Sequence, residues 1–544
     1  MGANEDFERI NGEMFQKLLE LNPDFATHLG LHDPYDDLLP DGSTANVEQN
    51  LKLIEEWVQR LKKEVRREEL RSENRIDWDV LGMTLEIGRF YFRDFRVHER
   101  DPETLDGLGG LLFVMFVKDY APFERRVDSI ASRMEKIPKY LEEFRTRFER
   151  SAPVKLWTEI ALETCGSIPG FFKTVLESSR GRVSKDVQKR LEDAYGELEK
   201  SLVVHENWLR ELLPKAEEDW ALGREKFEKL LRLRDLGLSA DEIHGLGVKF
   251  LAELKEKRSK IAGKIAPRKS VEEASKIVES DCPKTFREAL DFVRAEVKRA
   301  RQFIIEKDLA TVGEAEVLRV ERTPDFMATL TPFAALYMPS KFDRPPVGIY
   351  VVTEPKNPSD LCRHLNYPSI RNTVVHEAFP GHFLQGAISN RTSVVRQLYG
   401  ATETVEGWAH YCEQMMLEHG HLKGSEEEFV QVNDQIWRAV RIIVDVKLSQ
   451  GAMKFEEAVE MLARETGMPR DAAVSEVRRY TKTPGYALSY LLGKHLILQL
   501  REKVRKKMGE KYSERYFNDK ILKNGYLPMP LLEKVFELEK SRQK

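Results

Sequence analysis

The chain has 544 residues, with 87 lysines and arginines set against 91 aspartates and glutamates and a formal net charge of −4. The two signs are interspersed without a long block of either, which excludes nucleic acid as the main partner, and a charged fraction of 33% is the balance of thermophilic proteins. The longest apolar run, residues 111–117, is too short to cross a bilayer, and the N-terminus lacks the basic start and apolar core of a signal peptide, so a cytoplasmic protein without membrane contact is expected.

Amphipathic helices are predicted over 14–21, 47–68, 77–92, 122–150, 185–213, 224–236, 240–265 and 282–307, with prolines and glycines mostly between them. Asp106-Gly107-Leu108-Gly109-Gly110 interrupts the pattern and is expected to form a turn lining a cleft. Strand signals cluster at 315–322, 335–338 and 347–352. A small sheet there would offer residues 348–353 as an edge to which a peptide adds as an extra strand. After Asn357 the chain returns to helix. Cys165, Cys282, Cys362 and Cys412 follow no CxxC spacing, so neither a disulfide framework nor a thiolate zinc site is expected.

The chemistry concentrates in Val374-Val375-His376-Glu377-Ala378-Phe379-Pro380-Gly381-His382. Two imidazoles bind Zn²⁺ as neutral ligands, and the carboxylate beside the first can act as general base toward a water on the metal. In the usual H-E-x-x-H pair the histidines lie four residues apart, on one helix face. Six residues apart, they would point roughly 120° from each other on an unbroken helix. Pro380-Gly381 supplies a break: a helix carrying His376 and Glu377, a kink, then a new turn presenting His382. The bland alternative is a helix end with two unrelated surface histidines.

Residues 401–416 read as a further helix, with Glu403, Glu406, His410 and Glu413 at three-and-four spacing along one side. A third ligand from a following helix completes a catalytic zinc site and leaves a position for water. Glu406 is the first candidate and His410, one turn on, the competitor; Glu403 and His410 are otherwise candidates for supporting the ligands.

HEAFPGH, EGWAHYCE and the later PGYALSYLLG resemble the domain of unknown function 885 family, a group of metallopeptidase-like proteins, and more distantly the thimet oligopeptidase and thermostable carboxypeptidase families. The resemblance implies a mainly α, large helical metallopeptidase-like architecture with a small β-sheet beside a deep catalytic cleft. It implies Zn²⁺ on His376, His382 and Glu406, with Glu377 as general base. It also implies that a tyrosine of the Gly-Tyr segment, Tyr490 ahead of Tyr486, steadies the oxyanion. The chain departs from the family pattern at Tyr486, where a Gln is common. The tyrosine role has a physical basis, since a preorganised hydroxyl stabilises charge developing on a carbonyl oxygen and the two lie one turn apart.

Arg438 and Arg441 share a helix side with Asp445, and Arg478 and Arg479 precede the Pro484-Gly485 turn. A guanidinium fork binds a substrate C-terminal carboxylate in bidentate fashion, while Asp445 would orient a metal-bound histidine. The alternative is an intrahelical Arg–Asp pair. Together these readings give an N-terminal helical half (1–320) and a catalytic half (321–544), intertwined as one unit, hydrolysing peptide bonds in short peptides as a carboxypeptidase or oligopeptidase, with a homodimer left open. The rival readings are a helical scaffold whose metal is structural or lost, and a metal-dependent hydrolase of another amide or ester.

Overall fold

The computed structural model describes residues 2–313, 316–323, 334–344 and 346–538. The chain forms two units: one runs from the N-terminus to Trp220 and takes back Ser340–Arg344, and the other comprises the rest. Helices that follow Trp220, Ala240–Ile265 and Phe286–Glu306, pack with Ser425–Ser449 and Tyr367–Glu377.

In the first unit, apolar residues three and four apart bury one face of each helix. Phe7, Ile10, Met14 and Leu18 line Ala3–Leu21, which packs on Thr44–Glu64, whose Trp57 donates its indole N–H to Asn11 Oδ1 at 2.7 Å. Lys185–Leu212 starts where the Ser184 hydroxyl accepts from the Val187 N–H, and buries Leu191, Ala194, Leu198, Leu202, Leu209 and Leu212. The helix predicted over 122–150 divides into Phe123–Met134 and Ile137–Arg145, with Pro138 in the first turn of the second. The turn expected at 106–110 is instead helix, within Leu105–Val117. One of its glycines serves packing: a Cβ on Gly109 would come within 2.6 Å of Ile168 Cδ1 on Lys155–Ser179.

In the second unit we label α1 (Ala240–Ile265), α2 (Phe286–Glu306), α3 (Tyr367–Glu377), α4 (His382–Ser389), α5 (Thr402–Glu418), α6 (Ser425–Ser449), α7 (Arg470–Lys482) and α8 (Ser489–Met508), with strands β1 (Val317–Arg322), β2 (Ala334–Tyr337) and β3 (Val347–Val352). Ser239 and Glu242 form a capping box at the start of α1. Helices α1 and α6 pack along each other, as do α5 and α8. The α5–α8 approach needs glycine on both sides: a Cβ on Gly407 would lie 2.4 Å from Gly493 C, and one on Gly493 2.0 Å from Glu403 O.

The sheet has the order β1-β3-β2, with β1 parallel and β2 antiparallel to β3. The apolar run Val-Gly-Ile-Tyr-Val-Val thus becomes the central strand, buried over its last five residues. Over residues 349–352 both of its edges are paired, so this stretch cannot accept a further strand, contrary to the expectation above; Ala315, part of the first strand signal, lies outside the described residues. A second correction is a disulfide. Cys282 follows the helix Val271–Ser280, and Cys362 sits in the short helix Leu361–His364, 80 residues later in sequence and 5.1 Å away between Cα atoms. A pairing over that separation leaves no local spacing signal. Cys165 and Cys412 are buried thiols.

Candidate metal centre

Asn366 caps α3 through its side chain, accepting from the Ser369 N–H, and Pro368 occupies the first turn. The helix stops at Glu377, where Ala378 leaves the helical region at φ −104°, ψ −87°. The chain passes through Phe379-Pro380, and α4 begins at His382. Gly381 makes the reversal feasible: a Cβ there would sit 1.7 Å from the His376 carbonyl oxygen, inside covalent range of a neighbouring backbone. The Gly381 N–H donates back to Val375 O at 3.1 Å, and the Trp408 indole of α5 donates to Pro380 O at 2.9 Å. The six-residue spacing is thereby absorbed, and the two imidazoles stand edge to face with ring centroids 4.9 Å apart.

The third member comes from α5. One ligand atom from each of His376, His382 and Glu406 lies within 4.8 Å of the others, and His382 Nε2 stands 3.4 Å from Glu406 Oε2. Burial would lower the His382 pKa, but the Glu406 carboxylate outweighs it and lifts the imidazole to about 8. Burial likewise opposes ionisation of Glu406, which His382, His376 and Tyr486 nevertheless hold at about 2. Two imidazoles and a carboxylate are the donor set of one class of catalytic zinc site, so the residues present fit the ion.

His376 is held from behind. Its Nδ1 donates to Glu413 Oε1 at 2.7 Å, which assigns the proton to Nδ1 and leaves the Nε2 lone pair for the cluster. Glu413 Oε2 accepts from Asn372 Nδ2 at 3.2 Å, and Asn372 also donates to Asp434 at 2.8 Å. Burial alone would raise the Glu413 pKa; His410, Arg438 and His376 keep it well below the carboxylate range. Glu413 is the residue the sequence reading left without a role, although it ends the Glu403-Glu406-His410-Glu413 stripe.

His410 is not part of the cluster. It is wholly buried, with Nδ1 3.2 Å from Glu413 Oε1, and burial lowers its pKa to about 3. Glu403 also faces elsewhere: Arg234 donates to Glu403 Oε2, Ser489 Oγ and Thr402 Oγ1, each at 2.8 Å, and to Gly485 O. Asp445 accepts from the Gly485 N–H at 2.8 Å, the Leu488 N–H at 2.9 Å and the Ser449 hydroxyl at 3.1 Å. It therefore anchors the Gly-Tyr turn, where Gly485 takes φ +79°, and neither orients a ligand histidine nor pairs with Arg438 or Arg441.

That turn delivers Tyr486, whose hydroxyl donates to Glu406 Oε1 at 2.6 Å. Tyr490 lies one turn on, its ring 6.0 Å from that of Tyr486 and 4.5 Å from the Arg441 guanidinium. Arg441 donates to Tyr480 Oη and Glu476 Oε2, both at 2.8 Å, and stacks on Trp437. Arg479 donates to the same Glu476 at 2.9 Å. Arg438 Nη1 donates to Asp434 O at 3.1 Å, and its Nη2 stands 3.6 Å from Glu413 Oε1. Arg478 lies on α7 beside Arg479. Among the described residues no helix is long and apolar enough to cross a membrane.

Solved structures share this fold. A putative lipoprotein of unknown function from Shewanella oneidensis matches at TM-score 0.79 and 22% identity, over 98% of this chain and 99% of that one. The putative lipoprotein from Colwellia psychrerythraea matches at TM-score 0.85 and 18% identity, over 99% of each. A putative oligoendopeptidase F from Bacillus anthracis str. Ames aligns over 96% of this chain and 92% of that one, with a TM-score of 0.29 and 12% identity, too slight to carry an argument. No curated protein matches the chain. A family model described as bacterial protein of unknown function (DUF885) matches residues 23–535. The chain belongs to that family.

Proposed function

We propose that this protein hydrolyses peptide bonds in short peptides with a zinc ion held by His376, His382 and Glu406. The observation that carries the reading is the meeting of these three donors from three helices within 4.8 Å, with Glu377 next to the first of them in sequence. Zinc bound there would lower the pKa of a water to about 7 and polarise a carbonyl. Glu377, at the end of α3, accepts the proton released as the water attacks and passes it to the departing amine. Glu413 keeps His376 in the tautomer that faces the cluster, and Tyr486 fixes the Glu406 carboxylate until its one hydroxyl proton turns from Glu406 to the oxygen on which charge develops.

Donor count supports a catalytic over a structural ion. A structural site normally has four protein ligands, whereas the described residues bring three together and His410 turns to Glu413. The arginines favour an oligopeptidase over a carboxypeptidase: Arg441 and Arg479 both spend donors on Glu476, which weakens the case for a clamp on a C-terminal carboxylate.

The test uses the zinc-loaded full chain and a mixed library of blocked and unblocked short peptides read by mass spectrometry. Glu377→Gln keeps the side-chain shape but cannot take the proton, so cleavage should fall by about 10²–10⁴-fold with zinc content unchanged. Equal cleavage by both proteins would overturn the role of Glu377, and none by wild type would overturn the reading.

A further inference from the structure

Along the middle of α3, on the β3 side, lies a recess of about 80 Å³ that the metal cluster does not use. Its walls are Val293 of α2, Tyr350 and Val352 of β3, Leu365, and Ile370 and Thr373 of α3. Among the described residues no carboxylate, lysine or arginine lines it, and the His364 imidazole there has its pKa lowered, chiefly by burial.

Helix geometry connects this recess to the proposed chemistry. Ile370, Thr373 and Glu377 follow each other by three and four residues, so the face of α3 that walls the recess is the face that ends in Glu377. Tyr350 makes the same connection from the opposite wall: after burial, the charge of Glu377 is what raises its phenol pKa. A dry apolar cavity of about 150 Å³ takes a benzene ring. Roughly half that volume, with the Thr353 and Thr373 hydroxyls and the His364 ring beside branched and aromatic side chains, admits a short branched aliphatic group.

We infer that this recess is a specificity subsite, receiving a branched aliphatic side chain (valine, leucine or isoleucine) of the peptide residue next to the bond presented to Glu377. The inference deepens the proposed function and rests on it for the position of the scissile bond. It does not rest on it for the pocket's affinity. Ala334 of β2 also lines the recess and is only partly buried, so a larger side chain there takes up its volume.

The experiment has two arms. In the first, wild type, Ala334→Phe and Thr373→Leu are compared on paired peptides that differ only in leucine or glycine at each position. The ratio of leucine to glycine cleavage should favour leucine by at least tenfold at one position in wild type and fall at least fivefold in either folded variant. A ratio unchanged in both variants overturns the subsite. In the second arm, binding of N-acetyl-leucinamide and N-acetylglycinamide to wild type and the variants is read by equilibrium dialysis. This arm decides if wild type cleaves nothing, or if both variants misfold: leucinamide binding at least fivefold tighter than glycinamide supports the subsite, and equal binding overturns it. Failure of cleavage with selective binding would sink the proposed function and leave the pocket standing.

Discussion

His376 and Glu413 are joined by a 2.7 Å hydrogen bond from Nδ1 to a carboxylate that no solvent reaches. Loss of such a bond typically costs about 10–100-fold in metal affinity. Glu413→Gln should therefore weaken zinc binding by that factor in a chelator competition. Glu403→Gln, on the same helix, should leave zinc affinity within about twofold. It should instead cost stability, because the buried Arg234–Glu403 ion pair is lost. Equal loss of affinity in both variants would show that the two glutamates act alike, against the geometry.

Gly381→Ala should abolish the site. The added methyl would have to occupy space 1.7 Å from the His376 carbonyl, so α3 and α4 must separate, and the protein should purify without zinc and melt at lower temperature. Gly107→Ala is the matched control, since a Cβ there meets nothing within 4 Å and helix propensity gains about 0.5–1 kcal/mol. Full zinc occupancy in Gly381→Ala would refute the close approach.

The pH dependence of the metal-free protein follows from the His382–Glu406 pair. His382 is raised to about 8, so its contribution to stability is complete below the unfolded value near 6.5 and disappears as pH rises through 8. Glu406, depressed to about 2, contributes above its unfolded value near 4.5, and that contribution disappears as pH falls through 2. Denaturant midpoints in the presence of EDTA should decline from pH 6.5 to 8.5, and His382→Gln should flatten this limb. Zinc must displace the His382 proton, so calorimetry at pH 7 in buffers of different ionisation enthalpy should show about one proton released per ion. Zero release would place the proton elsewhere.

Tyr486 and Tyr490 exchange rank once their surroundings are known. The Tyr486 hydroxyl touches Glu406, whereas the Tyr490 ring packs against Arg441. Tyr486→Phe should lower kcat by about 10²-fold, the cost of one preorganised donor, and Tyr490→Phe by less than tenfold. The opposite order in steady-state kinetics would restore Tyr490.

Removing the disulfide with Cys282→Ser should lower stability by about 2–4 kcal/mol, because the bond closes a long loop in the unfolded chain. Urea unfolding with and without reductant reads this directly; coincident curves for oxidised and reduced wild type would mean the bond contributes nothing.

Three-and-four spacing made most helices legible, and Pro380-Gly381 announced the break that brings His382 back to His376. The same spacing put Glu403, Glu406, His410 and Glu413 on one side of α5 but could not divide their labour. A helix buried all round meets several neighbours, and it is those neighbours that give Glu403 to Arg234, Glu406 to the cluster and Glu413 to His376. Periodicity names a face and leaves the partner open. Gly109 misled for a related reason: a glycine that breaks a helix and one that lets two helices touch look alike in sequence. The strand order was also hidden, although an unbroken apolar run in β3 was itself a sign of burial on both faces.

The helix ends at the cluster have one more consequence. His376 and Glu377 close α3, His382 opens α4, and Glu406 lies four residues into α5. A helix carries about half a unit of negative charge at its C-terminus and half a unit of positive charge at its N-terminus, felt within the terminal turns. The peptide backbone therefore brings one negative pole, from α3, and one positive pole, from α4, to the cluster. The first is suited to a cation and the other to a carboxylate or to an oxygen gaining charge. This polarity belongs to the main chain and survives every side-chain substitution that leaves the two helices in place.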